Sequence, residues 1–333
     1  MQKASSTTFA RTRTDLYGIA AILAVATIIH LFFPTSLSFI ASVIAIMFLV
    51  ISLDLVTGVT GVATLGQSAL FGAGAYAAGI AAVNGIHDPF VLLVIGLIAG
   101  GVAGVVTGAI ILRTHGLPQL VLSIALVQLA AETVNRATRI TGGSDGLTGM
   151  TIAPVFGRFQ FDLWGVTAFW LSVALLVVVV FFARRLTRSP FGMLCRAIRQ
   201  DKVRVESMGI GTYTSALKMY VIAGCIAGLG GALMAITTQV VGLDSLSFTL
   251  SAEALVMLIL GGSGTIFGAV IGTFFFMWME HQISAANPYH WLAIVGVILI
   301  VVVMVAPRGL YGTALHLIRS WREKRAAAQE LDQ

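Results

Sequence analysis

Apolar positions in this chain neither alternate nor keep to one helical stripe. They come in long unbroken runs, separated by short polar or glycine-rich breaks. Strict alternation would mean half-buried strands, whereas sustained runs of about twenty apolar residues cross a bilayer core as helices. On that rule, spans fall near Leu16–Phe33, Leu37–Val56, Ser68–Val83, Phe90–Leu112, Leu117–Val134, Leu163–Ala183, Ala216–Thr238, Ala252–Leu260, Phe267–Ile283 and Trp291–Ala306. The eighth, Ala252–Leu260, is too short to cross alone and reads as a half-helix or the descending arm of a re-entrant hairpin. The pattern predicts an all-α polytopic membrane protein with about ten transmembrane helices, in a range of roughly 8–10.

Composition strengthens this reading. The 333 residues are 58% hydrophobic and 10% charged, against about a quarter charged in soluble chains. The 36 glycines suit close helix packing in lipid. Charge adds a direction. With the N-terminus on the inner side and each run crossing, Arg136, Arg139 and Arg158 fall outside; the other 17 of the 20 Lys and Arg (20 − 3) fall inside. Such a bias follows the positive-inside rule and makes both termini cytoplasmic. The first run has the basic lead of a cleavable leader (Arg11, Arg13), but no A-x-A-like site follows it and the nearest candidate is Ser36–Ser38, so it reads as a span. The chain thus divides into a cytoplasmic tail, 1–15, a membrane body, 16–312, and a basic cytoplasmic tail, 313–333. One long outer connection, Arg136 to Asp162, carries "TGGSDGLTGM" and reads as a loop or short re-entrant turn.

Motifs for catalysis or cofactor binding are weak. "GGSGT" at Gly261–Thr265 lacks the lysine of a phosphate loop, and the GxSxG match at Gly142–Gly146 lies in a loop rather than between strand and helix. The six histidines are scattered, and Cys195 and Cys225 do not suggest a disulfide framework. The expectation is therefore no enzyme, no cofactor and no metal. Four acids fall in apolar runs. Asp54, Glu132, Glu253 and Glu280 read as interfacial or paired groups near helix ends, Glu132 with Arg136 one turn away. A central string of acids, as in many ion-coupled carriers, is missing.

Two apolar runs are broken by glycines and small polar side chains: Leu53–Gly79 and Ala254–Gly272. Irregular backbone at membrane depth is tolerated where protein buries it or where it lines a cavity. Paired interruptions point to a transport pathway. Close packing through Gly74–Ala78 and Gly268–Gly272 is the competing reading, and the two are compatible.

"SPFGMLCRAIRQDKVRVESMGI", Ser189–Ile210, interrupts the apolar chain with a charged island inside the cytoplasmic segment 184–213. On a helical wheel Leu194, Ala197, Ile198, Val205 and Met208 share one face, and Arg196, Arg199, Lys202 and Glu206 lie mainly opposite. Asp201 breaks the apolar face, so one helix and two helices kinked at Asp201 remain equal readings. Pro190 suits the start and Gly209 the end. The island is either an interfacial helix on anionic lipid headgroups or a docking helix for a cytoplasmic partner. A nucleic-acid role lacks the aromatic stacking set it would need.

"GQSALFGAGAY", "SPFGMLCRAIRQDKVRVESMGI", "AGCIAGLGGALMA", "LILGGSGTIFGAVIG" and "APRGLYG" follow in this order. Together they resemble the permease subunits of branched-chain amino acid ABC importers, specifically the LivM-like member, from about Leu37 to Gly312. The resemblance implies the type II ABC importer permease fold and a bacterial inner-membrane location. It implies a second, LivH-like permease, two cytoplasmic ABC ATPases and an extracytoplasmic solute-binding protein as partners. It also implies alternating access driven through a coupling helix. On the island this carries over to Glu206 and Gly209 by a loose motif match, and to Arg196, Ala197, Ile198 and Arg199 by position. Gln67, Ser68, Gly261, Gly262, Ser263 and Thr265 are the candidate pathway residues, offering dipoles rather than fixed charge to a zwitterion. An ABC permease for urea, short amides or other amino acids, and an ion-coupled secondary transporter, are the alternatives.

Overall fold

Polar breaks in the sequence set the helix starts. Asp88 Oδ1 accepts from Phe90 N at 2.9 Å, with Pro89 in the first helical position. Ser189 and Ser247 cap in the same way, accepting from Gly192 N at 3.2 Å and Leu250 N at 3.1 Å. Each side-chain oxygen satisfies a donor that the helix itself leaves orphaned. The computed structural model describes residues 22–32, 36–154 and 165–286, with scattered positions elsewhere.

The membrane body is built from α1 (Ile22–Phe32), α2 (Leu37–Leu53), α3 (Gln67–Val83), α4 (Pro89–Ile111), α5 (Leu117–Arg136), α7 (Val166–Arg188), α10 (Thr212–Thr238), α11 (Phe248–Gly261) and α12 (Ile266–Ala286). Between them lie the short α6 (Thr138–Thr141) and the island helices α8 (Pro190–Gln200) and α9 (Lys202–Ser207). A π-helical turn, Asp54–Val59, extends α2. Among the described residues, six helices are long and apolar enough to cross a membrane, counting α2 with its π turn. The expected span at Trp291–Ala306 lies largely outside the described residues, as do both tails.

α10 is the hub, packed against α4, α3 and α2. Lipid offers no hydrophobic drive between helices, so close backbone approach must supply the contact. Gly96, Gly100, Gly104 and Gly108 form one row on α4 and are buried. A Cβ on Gly100 would come within 2.6 Å of Gly228 Cα, and one on Gly228 within 2.7 Å of Gly100 Cα. Val94, Ile98, Val102 and Val106, offset by half a turn, are exposed. Gly74 of α3 also meets the Gly228 backbone, so three helices converge on one residue. Packing is therefore what the glycine of "GAGAY" does here.

Loops sort to two ends. At one end lie the Arg113–Gly116 turn, α8 and α9. At the other, Leu147 pairs with Val241, and Ala153 N donates to His87 O at 2.8 Å.

α11 has 14 residues, about 21 Å of helix, because the chain has already descended when it begins. The 3-10 turn Leu243–Leu246 packs on Gly72, 11 residues (83 − 72) from the far end of α3. α11 packs on α12, and its late start fits both sequence readings, the half-helix and the descending arm of a re-entrant hairpin.

Candidate functional site

The island folds as two helices broken at Asp201. Asp201 is extended (φ −155°, ψ 95°), and its Oδ1 accepts from Arg204 N at 3.0 Å. The carboxylate ends α8 and caps α9 in one move. Gly209 closes the segment at φ +79°, a left-handed turn that glycine adopts without strain. Cys195, Ile198 and Val205 are buried against the body. Burial pushes the Cys195 thiol up, opposed by a hydrogen bond with Thr60. Met193, Val203 and Met208 are exposed, at 58%, 76% and 70%. Met208 departs from the wheel, which grouped it with Val205, because it falls at the C-cap of α9, where the helix has ended.

The charged residues of the island are tied to their own chain. Arg196 donates to Thr187 O. Lys202 Nζ lies 2.7 Å from His115 Nε2 and 3.8 Å from Glu206 Oε1. Thr212 Oγ1 donates to Glu206 Oε1 at 2.5 Å, joining α9 to the first turn of α10. Ala197 is half-buried. Arg199 reaches furthest, donating to Gly58 O in the π turn. Its side chain also borders a cavity of about 230 Å³ with Thr60, His115, Gln119 and Tyr213.

Beyond Gly58 lies the loop between α11 and α12. Gly264 N donates to Asp54 Oδ1 at 2.5 Å. A Cβ on Gly58 would overlap Asp54 Oδ1 and come within 2.6 Å of Gly264 N. Asp54 is fully buried, so the interfacial expectation for it is corrected: this carboxylate faces protein, not water. Glu132 and Arg136 do form the expected exposed pair, at 2.6 Å. Glu253 and Glu280 are half-buried.

The candidate pathway residues form two groups. Gln67 and Ser68, at the start of α3, are fully buried. Ser52 Oγ lies 3.3 Å from Gln67 Oε1, and Ser251 Oγ donates to Ser68 Oγ at 2.7 Å. Among the described residues Gln67 Nε2 has no hydrogen-bond partner. In the second group Gly261 and Gly262 are buried, Ser263 is exposed and Thr265 Oγ1 donates to Gly262 O at 2.8 Å. Gly261 packs on Gly268, and Gly309 of "APRGLYG" packs on Gly261 and Gly262. Ser52 and Asp54, two positions apart, touch one group each.

Sequence reasoning missed the residues that hold the irregular backbone. Ser123 of α5 accepts from Leu65 N at 3.0 Å, and Ser251 of α11 accepts from Ser68 N at 3.0 Å. A backbone donor stranded in lipid is costly, so such hydroxyls are what let the chain unwind at depth. Their signal was a lone small hydroxyl inside an apolar run.

An all-helical body, with two glycine-broken segments meeting at depth and a polar segment attached at one end, is the build of a membrane permease. The family model described as branched-chain amino acid transport system / permease component matches residues 35–303, and the chain belongs to that family. It is 26% identical over 284 residues to the high-affinity branched-chain amino acid transport system permease protein LivM of Escherichia coli, covering 78% of this chain and 66% of that protein. The LivM protein of Salmonella typhimurium matches with the same identity and coverage. A probable branched-chain amino acid transport permease protein LivM of Methanocaldococcus jannaschii is 28% identical over 189 residues, 54% of this chain and 53% of that one. The chain thus spans about two thirds of the length of the first relatives it matches. No solved structure matches it. Family and membrane-length helices together make it a multi-pass plasma-membrane protein.

Proposed function

We propose that this chain is the LivM-like permease subunit of an ABC importer for branched-chain or related amino acids, rather than an enzyme. The family match across residues 35–303 carries the reading. A LivH-like second permease completes the translocation pathway, two cytoplasmic ATPases drive it, and an extracytoplasmic binding protein delivers the solute. The segment 184–213 is the coupling segment, and both termini are cytoplasmic. The exposed Met193, Val203 and Met208 support docking over a membrane-surface role, because the buried face of the island already rests on its own chain. Gln67, Ser68 and the Gly261–Thr265 loop are pathway residues. The unpartnered buried Gln67 Nε2 supports this: a buried donor without a partner calls for an explanation, and a carboxylate arriving along the pathway would supply one.

The test is co-purification after mild detergent extraction from the native membrane. Recovery of a second permease and two ATPases supports the assignment. Uptake in ATP-free vesicles, driven by an ion gradient alone, would overturn it.

A further inference from the structure

α8 does not merely lie on the end of the bundle. Its buried face rests on residues 58–61, the π turn and the start of the unwound stretch leading to α3. Ile198 lines one cavity with Thr60 and Gly61, and a Cβ on Gly61 would come within 2.6 Å of Arg199 Cγ. The Arg199 guanidinium passes beyond that surface to Gly58 O. From there one further contact reaches the second broken segment, because Asp54 Oδ1 lies against Gly58 and accepts from Gly264 N. Gly264 has φ +85°, and a Cβ on it would lie 3.4 Å from both Arg199 Nη1 and Gly58 O. Arg199, Gly58, Asp54 and Gly264 therefore form one node from three chain segments, in which the buried Asp54 Oδ2 has no hydrogen-bond partner among the described residues.

π turns depart from the regular ladder and are frequent at functional positions. A single charged side chain anchored on one, beside a loop closed by glycines, is an element that can take two arrangements. We propose that Arg199 is the positioning residue that passes motion of the α8–α9 segment to both glycine-broken segments, through Gly58 O and the Asp54–Gly264 contact. This deepens the docking reading above and rests on it. The node also borders the 230 Å³ cavity beside Thr60, His115 and Gln119. Withdrawal of Arg199 therefore alters the wall of that cavity and the hold on the α11–α12 loop together.

The experiment uses the assembled importer in proteoliposomes, with L-leucine as the probe and ATP hydrolysis measured in parallel. Arg199→Ala is expected to assemble and hydrolyse ATP while ATP spent per leucine rises at least about fivefold, the low end of ordinary coupling factors. Arg199→Lys keeps the charge without the planar fork and is expected to fall between wild type and Ala. Asp54→Asn is expected to shift the ratio in the same direction. The double variant Asp54→Asn/Arg199→Ala is expected to be no worse than Arg199→Ala, the non-additivity of residues in one network. If Arg199→Ala does not fold, Arg199→Gln carries the same expectation. A wild-type ratio in the variant that folds overturns the proposal. Loss of the ATPases from both Ala and Lys variants also overturns it, by placing Arg199 in the docking surface. A wild-type chain that recovers no ATPase sinks the function proposed above instead, before any variant is made.

Discussion

Gly58 shows how much one missing carbon decides. It sits in the π turn without a positive φ, yet a Cβ there would overlap Asp54 Oδ1 and press on Gly264 N. Gly58→Ala is expected to destabilise the body by about 1–3 kcal/mol, the range for forcing volume into a packed site. Gly85 offers the contrast. It has φ +97° and open space where its Cβ would be, so Gly85→Ala costs only the left-handed backbone, about 1–2 kcal/mol. Thermal unfolding in detergent measures stability, and the two are separated by transport: Gly58→Ala should lose it and Gly85→Ala should keep it. At this scale the sequence was legible where partners are local. The Glu132–Arg136 pair follows from a spacing of one helical turn. The Asp54–Gly264 contact joins residues 210 positions apart, and no local pattern carries such a pairing. Asp54 consequently read as an interfacial acid.

Among the elements, the island was legible in outline because its signals are caps. Ser-Pro at the start, Asp201 in the apolar face and Gly209 at the end each have a local chemical reason. The wheel also read α9, placing Val205 inward and Glu206 outward as observed, and it failed at Met208, which lies at the C-cap beyond the last helical turn. Short α11 was legible as short, but its cause lies in Leu243–Leu246 packing down on Gly72, a tertiary contact. Asp201→Ala tests whether the break matters. It removes a cap worth about 1 kcal/mol and lets α8 and α9 merge, rotating Arg199 relative to the exposed Val203. Membrane insertion should be unchanged in fractionation, while uptake into vesicles falls. Uptake at the wild-type rate would mean that the angle between the two helices is irrelevant to coupling.

For the molecule as a whole, the charge bias predicts which end faces the cytoplasm, and the structure supplies exposed positions at which to check it. Val203 lies on the island at 76% exposure and Ile140, within α6, at 62%. In right-side-out vesicles, a membrane-impermeant maleimide should label Ile140→Cys and leave Val203→Cys unlabelled until the vesicles are opened. The buried Cys195 adds little background. The opposite pattern would invert the topology and remove the cytoplasmic docking role with it. α5 poses the remaining question of what surrounds this body. Only 17% of its span is buried, against 83% for α2 with its π turn. Yet α5 is no plain lipid-facing helix, because Gln128, near its middle, is exposed. An amide in hydrocarbon without partners is costly, whereas the exposed residues of the neighbouring α4 are all apolar. The second permease proposed above would cover the exposed face of α5 or line an aqueous path along it. Gln128→Cys should cross-link to that subunit in the native membrane, or react with a small water-soluble thiol reagent at a rate that added substrate changes. Reaction only with a lipid-soluble reagent, and no cross-link, would place α5 in lipid and the translocation pathway on another face of the chain.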